Sequence, residues 1–519
     1  MEAILLPLGA GLLEALQPVN LSMIVLGCAI GLLVGAMPGL GSVNGVAILL
    51  PITFLVPPTA AIIFLAAIYY GAMYGGAISS ITLGIPGAST AVATVFDGRP
   101  LAQSGKADKA LTAAAVASFI GGSISVVLFT LFAPPLAAFA LKFGPPEEFA
   151  LMLLAFATFI GLGGDDIPKT IFSILIGLVL ASVGLDIISG QPRLIFGDIS
   201  GFLHGVNFLV LAIGIYGIGE MLWTLETTRG KVTAHKVTMS FRSLLDNLRD
   251  VKQYIKTTTL GSMLGYFVGT LPAAGATPAS LMSYGIAKTF SRDPDSFGKG
   301  NVSGVAAPEA ANNAASTGSM LPMITLGIPG SPTTAILLGG MIIWGLRPGP
   351  LLFTEHPDFV WGLIGSLYIA NLVTVLINLA FIPLIVKVLT LPFTILAPII
   401  YILCVVGGYA PTQTMHDVWL MFLFGIVGYL LRKLNYPVAP AVLAIVLGPL
   451  AERSLRQSLL ASQGDMLTFV ERPISGLCIA CAVALIAYPL WRKMRARKAQ
   501  ASSPNATNAT RPGEADAGD

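Results

Sequence analysis

Across residues 15–96 the chain has no Asp, Glu, Lys, Arg or His. A helix needs about 20 apolar residues to cross the hydrocarbon core, so this stretch holds material for about three or four crossings. Further charge-poor stretches cover residues 110–141, 149–164, 170–185, 205–219, 257–287, 310–346, 359–386, 388–415, 418–431, 434–451 and 473–491. The pattern predicts an all-α polytopic membrane protein with about ten to fourteen full or partial crossings.

Punctuation inside the apolar sequence repeats. The heptapeptide Ile-Thr-Leu-Gly-Ile-Pro-Gly occupies residues 81–87 and again 324–330. Upstream, Leu26, Gly27, Gly31, Val34, Gly35, Pro38 and Gly41 recur as Leu260, Gly261, Gly265, Val268, Gly269, Pro272 and Gly275. The offsets are 243 and 234 residues. Two halves, each with two Gly/Pro interruptions, are the signature of a secondary transporter whose discontinuous helices meet at a binding site.

Composition sharpens this. Hydrophobic residues make up 55% and charged residues 11%, which excludes a soluble globular domain, where charge supplies about a quarter. The 57 glycines and 35 prolines cannot signal disorder in so apolar a chain. In lipid they predict re-entrant or broken helices, lodged where protein or a watery cavity satisfies the freed backbone. The net charge of +3 says nothing about partners, and nothing suggests nucleic acid. Cys478 and Cys481 form a C-x-x-C without a second pair or nearby His, so they read as small helix residues.

Charge placement gives the topology. Residues 1–228 form half one, and residues 229–256 a basic connector with Arg229, Lys231, Lys236, Arg242, Arg249, Lys252 and Lys256. Residues 257–498 form half two with a terminal helix, and residues 499–519 a Ser/Asn/Thr/Gly-rich tail read as disordered. Positive-inside bias puts the connector and the C-terminus in the cytoplasm. Matching loops differ in basic content in opposite senses: residues 97–109 are richer than 347–358, and 288–299 richer than 55–59. The two halves are therefore expected to be inverted in the membrane.

The spacings Gly27-x3-Gly31-x3-Gly35 and Gly261-x3-Gly265-x3-Gly269 build smooth ridges for close helix packing. After each ridge comes a break, with Pro38, Gly39, Gly41, Ser42 and Asn44 in one half and Pro272, Gly275 and Thr277 in the other. Proline removes a donor and glycine permits left-handed backbone, so the helix unwinds there. The heptapeptides repeat the device with hydroxyls attached: Gly84, Gly87, Ser89 and Thr90, then Gly327, Gly330, Ser331, Thr333 and Thr334. A Ser or Thr at a restarting helix suits an anion, and freed carbonyls suit a cation. The alternative is a set of packing kinks.

Glu309 stands in Ala307-Pro308-Glu309-Ala310-Ala311-Asn312-Asn313, and at helical spacing Glu309, Asn312 and Asn313 share one face. Such a carboxylate in apolar sequence binds a sodium ion, carries a proton or bonds a neighbouring helix. The aligned region of half one has Tyr69, Tyr70 and Tyr74 instead. Asp165 and Asp166 read as a solvated loop cap, and His204 and Glu220 as interfacial. Arg99 and Arg347 are the cations nearest the breaks, so helix ends, hydroxyls and a co-bound cation are expected to hold an anion. No metal site, catalytic group or cofactor is expected, and the coupling ion is Na+ or H+.

These residues resemble the large membrane subunit of the tripartite tricarboxylate transporters, the TctA-like family. The resemblance covers roughly residues 20–490. It rests on Gly31-x3-Gly35-x2-Pro38-Gly39-Leu40-Gly41, on Asp97-Gly98-Arg99-Pro100 with Gly105-Lys106, and on the Glu309 segment leading into Gly327. Where the family usually reads Pro-Gly-x-Gly, this chain has Pro272-Ala273-Ala274-Gly275. The resemblance implies a bacterial inner-membrane permease working with a small membrane subunit and a periplasmic solute-binding protein. It also implies carboxylate uptake driven by an ion gradient, with an elevator-like movement expected from related transporters. A passive channel, a stand-alone carrier and an intramembrane enzyme are the rival readings.

Overall fold

The computed structural model describes residues 2–162, 166–186, 189–195, 200–203, 205–227, 241–272, 274–389, 393–410 and 412–501. Asp165, His204, Ala273, connector residues 228–240 and tail residues 502–519 lie outside the described residues.

The chain begins with α1 (Glu2–Ala15), α2 (Pro18–Ala36), α3 (Gly41–Leu49), α4 (Pro58–Thr82), α5 (Val92–Gln103), α6 (Ala107–Ala140), α7 (Pro145–Leu162) and α8 (Ile167–Ala181). A two-stranded antiparallel ribbon follows, β1 (Gly184–Leu185) with β2 (Pro192–Arg193), in register Gly184 to Arg193. Next come α9 (Phe208–Ala212), a π-helical segment (Ile213–Gly219) and α10 (Glu220–Thr227). Then follow α11 (Phe241–Arg249), α12 (Val251–Thr270), α13 (Ala276–Thr289), α14 (Ser303–Leu326), α15 (Pro332–Ile343) and α16 (Leu352–Glu355). The chain ends in α17 (Pro357–Val388), α18 (Phe393–Tyr409), α19 (Met415–Lys433), α20 (Ala439–Ala461), α21 (Thr468–Glu471) and α22 (Pro473–Ala501).

Among the described residues six helices are long and apolar enough to span a membrane: Pro18–Ala36, Pro58–Thr82, Ala107–Ala140, Phe208–Thr227, Pro357–Val388 and Met415–Lys433. The all-helical architecture and these spans make the chain a multi-pass membrane protein. Shorter apolar helices, α3, α8 and α15 among them, accompany these spans.

The predicted breaks appear as interruptions between α2 and α3, α4 and α5, α12 and α13, and α14 and α15. Left-handed glycines mark them at matching positions: Gly41 (φ 61°) and Gly275 (φ 66°), then Gly84 (φ 73°) and Gly327 (φ 71°). An L side chain resists that backbone, which is why glycine stands there.

α4 and α14 form the centre, buried from Ala60 to Thr82 and from Gly304 to Thr325. Each is covered by its glycine ridge. A Cβ on Gly31 or Gly35 would stand 2.4 or 2.2 Å from the carbonyl oxygens of Ile68 and Ala72. On Gly265 or Gly269 it would stand 2.3 or 2.5 Å from those of Ala311 and Ala315, the positions 243 residues onward. The two helix pairs pack backbone to backbone in the same way, the close approach that small residues permit. α6 then packs against α12 and α14, α1 against α17, and α22 against α7.

One loop reading changes. Residues 97–103 belong to α5, and Asp97 is fully buried. Its Oδ1 accepts the backbone N–H groups of Gly298 (2.9 Å), Gly300 (2.8 Å) and Asn301 (2.7 Å), and its Oδ2 the Tyr284 hydroxyl at 3.0 Å. Asp97 therefore fastens the loop before α14 onto α5. Arg99, on the same helix, donates to the Thr82 carbonyl at 2.6 Å and so closes the C-terminus of α4.

Candidate functional site

The four breaks converge. They line one cavity of about 640 Å³, within the range of small-molecule sites. Gly39, Gly41, Ser42 and Asn44 come from the first break, and Gly87, Ser89 and Thr90 from the second. Gly275 and Thr277 come from the third, and Ser331 and Thr333 from the fourth. Residues far apart in sequence thus share one wall.

Hydroxyls join the halves crosswise. Ser42 Oγ lies 2.9 Å from Thr333 Oγ1, and Ser89 Oγ lies 3.1 Å from Thr277 Oγ1. The first break of each half thereby meets the second break of the other. Within half two, the Gly275 N–H donates to the Gly330 carbonyl at 3.1 Å. Gly87 presses on α2, where a Cβ would stand 2.0 Å from the Gly35 carbonyl oxygen.

Other predicted site residues frame the cavity without lining it. Pro38 and Pro272 sit half-buried in the turns that end α2 and α12. Gly84 packs under the Arg99 side chain, and Gly327 caps α14 beside the Pro348 carbonyl. The Thr334 hydroxyl is engaged in a capping box: the Ser331 N–H donates to it at 2.8 Å, and the Thr334 N–H donates to Ser331 Oγ at 3.2 Å. Asn44 Nδ2 donates to the Gly39 carbonyl at 3.1 Å and so braces the first break.

Glu309, Asn312 and Asn313 are buried on α14, behind the cavity wall. Asn312 Nδ2 reaches the carbonyl of Met73, a lining residue, at 3.3 Å. Glu309 accepts the Thr94 hydroxyl on Oε1 and the Ser118 hydroxyl on Oε2 at 3.4 Å. Asn313 Nδ2 donates to Ser118 Oγ at 2.7 Å. The side-chain oxygens Asn312 Oδ1 and Asn313 Oδ1 are buried without a hydrogen-bond partner.

The tyrosines of α4 face the same region. Tyr69 lines the cavity, with its hydroxyl 3.2 Å from both Ser319 Oγ and Ser331 Oγ. Tyr70 bonds Thr317, and Tyr74 donates to Asn371 Oδ1 at 2.6 Å.

The charged residues that line the cavity are Glu220 and Arg432. Glu220 is buried at 7% exposure and paired with Arg432. Arg432, from the C-terminal turn of α19, corrects the expectation that no basic residue beyond Arg99 and Arg347 approaches the breaks. It looked like an ordinary helix-end cation, and only the fold shows where it lands. The π-helical segment brings Ile215, Tyr216 and Gly219 to the same wall. Asp166 is an N-cap near Lys169 Nζ (3.7 Å), remote from these groups in role.

Comparison with known proteins decides the family. Residues 21–443 match the model of the Tripartite tricarboxylate transporter TctA family. The chain belongs to that family. A TctA-family chain is a component of a transport system, and a tripartite system implies partner subunits. The chain is 38% identical over 491 residues to the "Uncharacterized 52.8 kDa protein in TAR-I ttuC' 3'region" of Agrobacterium vitis, covering 95% of this chain and 97% of that protein. It is 39% identical over 236 residues to the "Uncharacterized protein in TAR-II ttuC' 3'region" of the same organism, covering 46% of this chain and 98% of that protein. No solved structure matches it.

Proposed function

We propose that this chain is the permease subunit of a binding-protein-dependent secondary transporter that couples carboxylate uptake to a Na+ or H+ gradient. The convergence of all four breaks on one cavity of about 640 Å³ carries the reading. Secondary transporters place their sites where discontinuous helices meet. The hydroxyls of Ser42, Ser89, Thr90, Thr277 and Thr333, together with the restarting N-termini of α13 and α15, suit a carboxylate's oxygens. Glu309 with the unpartnered oxygens of Asn312 and Asn313 is the proposed cation or proton site.

The architecture we propose is two inverted halves, residues 1–228 and 257–498, that move in an elevator-like manner. Two observations support it: glycine ridges 234 residues apart that pack alike on carbonyls 243 residues apart, and the opposite basic bias of matching segments. The partners are a small membrane subunit and a periplasmic solute-binding protein. The membrane is the bacterial inner membrane, with the connector and C-terminus cytoplasmic.

The test is uptake of labelled citrate and other carboxylates into proteoliposomes that contain this chain and its small subunit. The binding protein is added or withheld under imposed Na+ or H+ gradients. Gradient-driven accumulation that needs the binding protein is the expected result. Equilibrating flux that ignores both would make the chain a channel or stand-alone carrier.

A further inference from the structure

Arg432 is the one guanidinium among the described residues that line the cavity. Its partner Glu220 is far more buried, at 8% side-chain exposure against 40% for Arg432. Burying a carboxylate costs several kcal/mol unless every oxygen finds a partner. Here Glu220 Oε2 meets the guanidinium, while Glu220 Oε1 is buried with no hydrogen-bond partner. That oxygen faces the first break, since a Cβ on Gly39 would stand 3.1 Å from it. Glu220 Oε1 thus stands at the first break without engaging the guanidinium.

Arg432 is held independently of the acid. Its guanidinium carbon lies 5.4 Å from the centre of the Trp223 ring, a cation–π contact that holds the group without neutralising it. The fork of a guanidinium matches a carboxylate in two parallel hydrogen bonds. Glu220 offers it one carboxylate, and a carboxylate substrate offers a chemically equivalent one.

We propose that Arg432 is the cationic anchor for one carboxylate of the substrate, and that Glu220 is its intramolecular stand-in. An entering di- or tricarboxylate displaces Glu220 from the guanidinium, while its other carboxylates meet the hydroxyls and helix ends across the cavity. Glu220 therefore sets the threshold for binding, because any ligand must outcompete a tethered carboxylate. An acid with a second carboxylate gains contacts that the stand-in lacks, so the exchange favours polycarboxylates over acetate. This inference rests on the carboxylate-permease reading and assigns a specificity-determining residue within it.

The test measures citrate, succinate and acetate binding to the purified full-length chain by calorimetry, with citrate counterflow in proteoliposomes that also hold the small subunit and the binding protein as a second readout. Removing a charge-assisted hydrogen bond costs about tenfold to a hundredfold in affinity, and Arg432→Gln is expected to lose citrate binding by that factor. Glu220→Gln is expected to tighten citrate binding by about threefold to tenfold, and Arg432→Lys to fall between Arg432→Gln and the parent. A structural brace predicts that Arg432→Gln and Glu220→Gln weaken binding together. Movement in the same direction, or no change in either variant, overturns the proposal while the parent's citrate binding keeps the permease reading intact. If the parent binds none of the three acids and shows no counterflow, the permease reading itself falls, and the anchor with it.

Discussion

Ser42 Oγ and Thr333 Oγ1 stand 2.9 Å apart although 291 residues separate them in the chain. The contact ties α3, just past the first break, to α15, just past the fourth. Its mirror, Ser89 with Thr277 at 3.1 Å, ties the second break to the third. A cavity closed by two hydroxyl bridges needs both halves of the chain. Ser42→Ala and Thr333→Val are therefore expected to be non-additive. A double-mutant cycle on citrate affinity should give a coupling of about 1 kcal/mol. Strict additivity would mean that the two hydroxyls act independently.

Asp97 gives a second prediction. Its carboxylate accepts three backbone N–H groups from the loop before α14 and is fully buried. Charge-assisted bonds of this kind are worth about 1.5–3 kcal/mol each. Asp97→Asn should lower stability by at least about 2 kcal/mol and speed amide exchange at Gly298, Gly300 and Asn301. Unchanged exchange at those amides would show that the loop is held by other contacts.

The ridges predict which glycines tolerate a methyl. Gly35→Ala and Gly269→Ala each drive a Cβ to within 2.5 Å of a carbonyl oxygen, whereas Gly9→Ala and Gly285→Ala meet nothing within 4 Å. The first pair should lose about 2 kcal/mol or more of stability, and the second pair should melt like the parent. Equal melting temperatures across all four would contradict the close backbone contact.

Much of this was readable in the sequence because glycine and proline act locally. The breaks at Gly41, Gly84, Gly275 and Gly327 follow from backbone chemistry, and their hydroxyls sit beside them in the chain. Asp97 and Arg99 misled for the opposite reason: charge beside a Gly-Arg-Pro segment reads as a loop, yet burial against distant backbone makes it a helix. Arg432 was illegible as a site residue because nothing local marks it. Its meaning depends on α10 and α19 meeting beside the first break, a long-range contact that no pattern at residues 415–433 encodes. Part of the basic connector forms α11, and Asp250, just beyond its end, pairs with Lys109 of α6 at 2.6 Å.

A variant at Glu309 tests coupling apart from binding. Its carboxylate lies behind the cavity wall, bonded to Thr94 and Ser118. Glu309→Gln should keep citrate counterflow within about threefold of the parent while gradient-driven accumulation falls at least about tenfold. Parental accumulation by this variant would remove Glu309 from the coupling site.

The central claim is that a carboxylate occupies the cavity between the four breaks. It is tested most directly by substrate protection in a background with Cys478→Ser and Cys481→Ser, in which Cys28 and Cys404 remain buried. Single Ser89→Cys and Thr277→Cys variants are labelled with a small hydrophilic thiol reagent, with and without citrate. Ser104→Cys, just past the end of α5, serves as the control, being exposed and outside the cavity lining. The account predicts that citrate slows labelling at positions 89 and 277 by at least about fivefold and leaves position 104 unchanged. Equal labelling at all three positions with saturating citrate would place the substrate elsewhere.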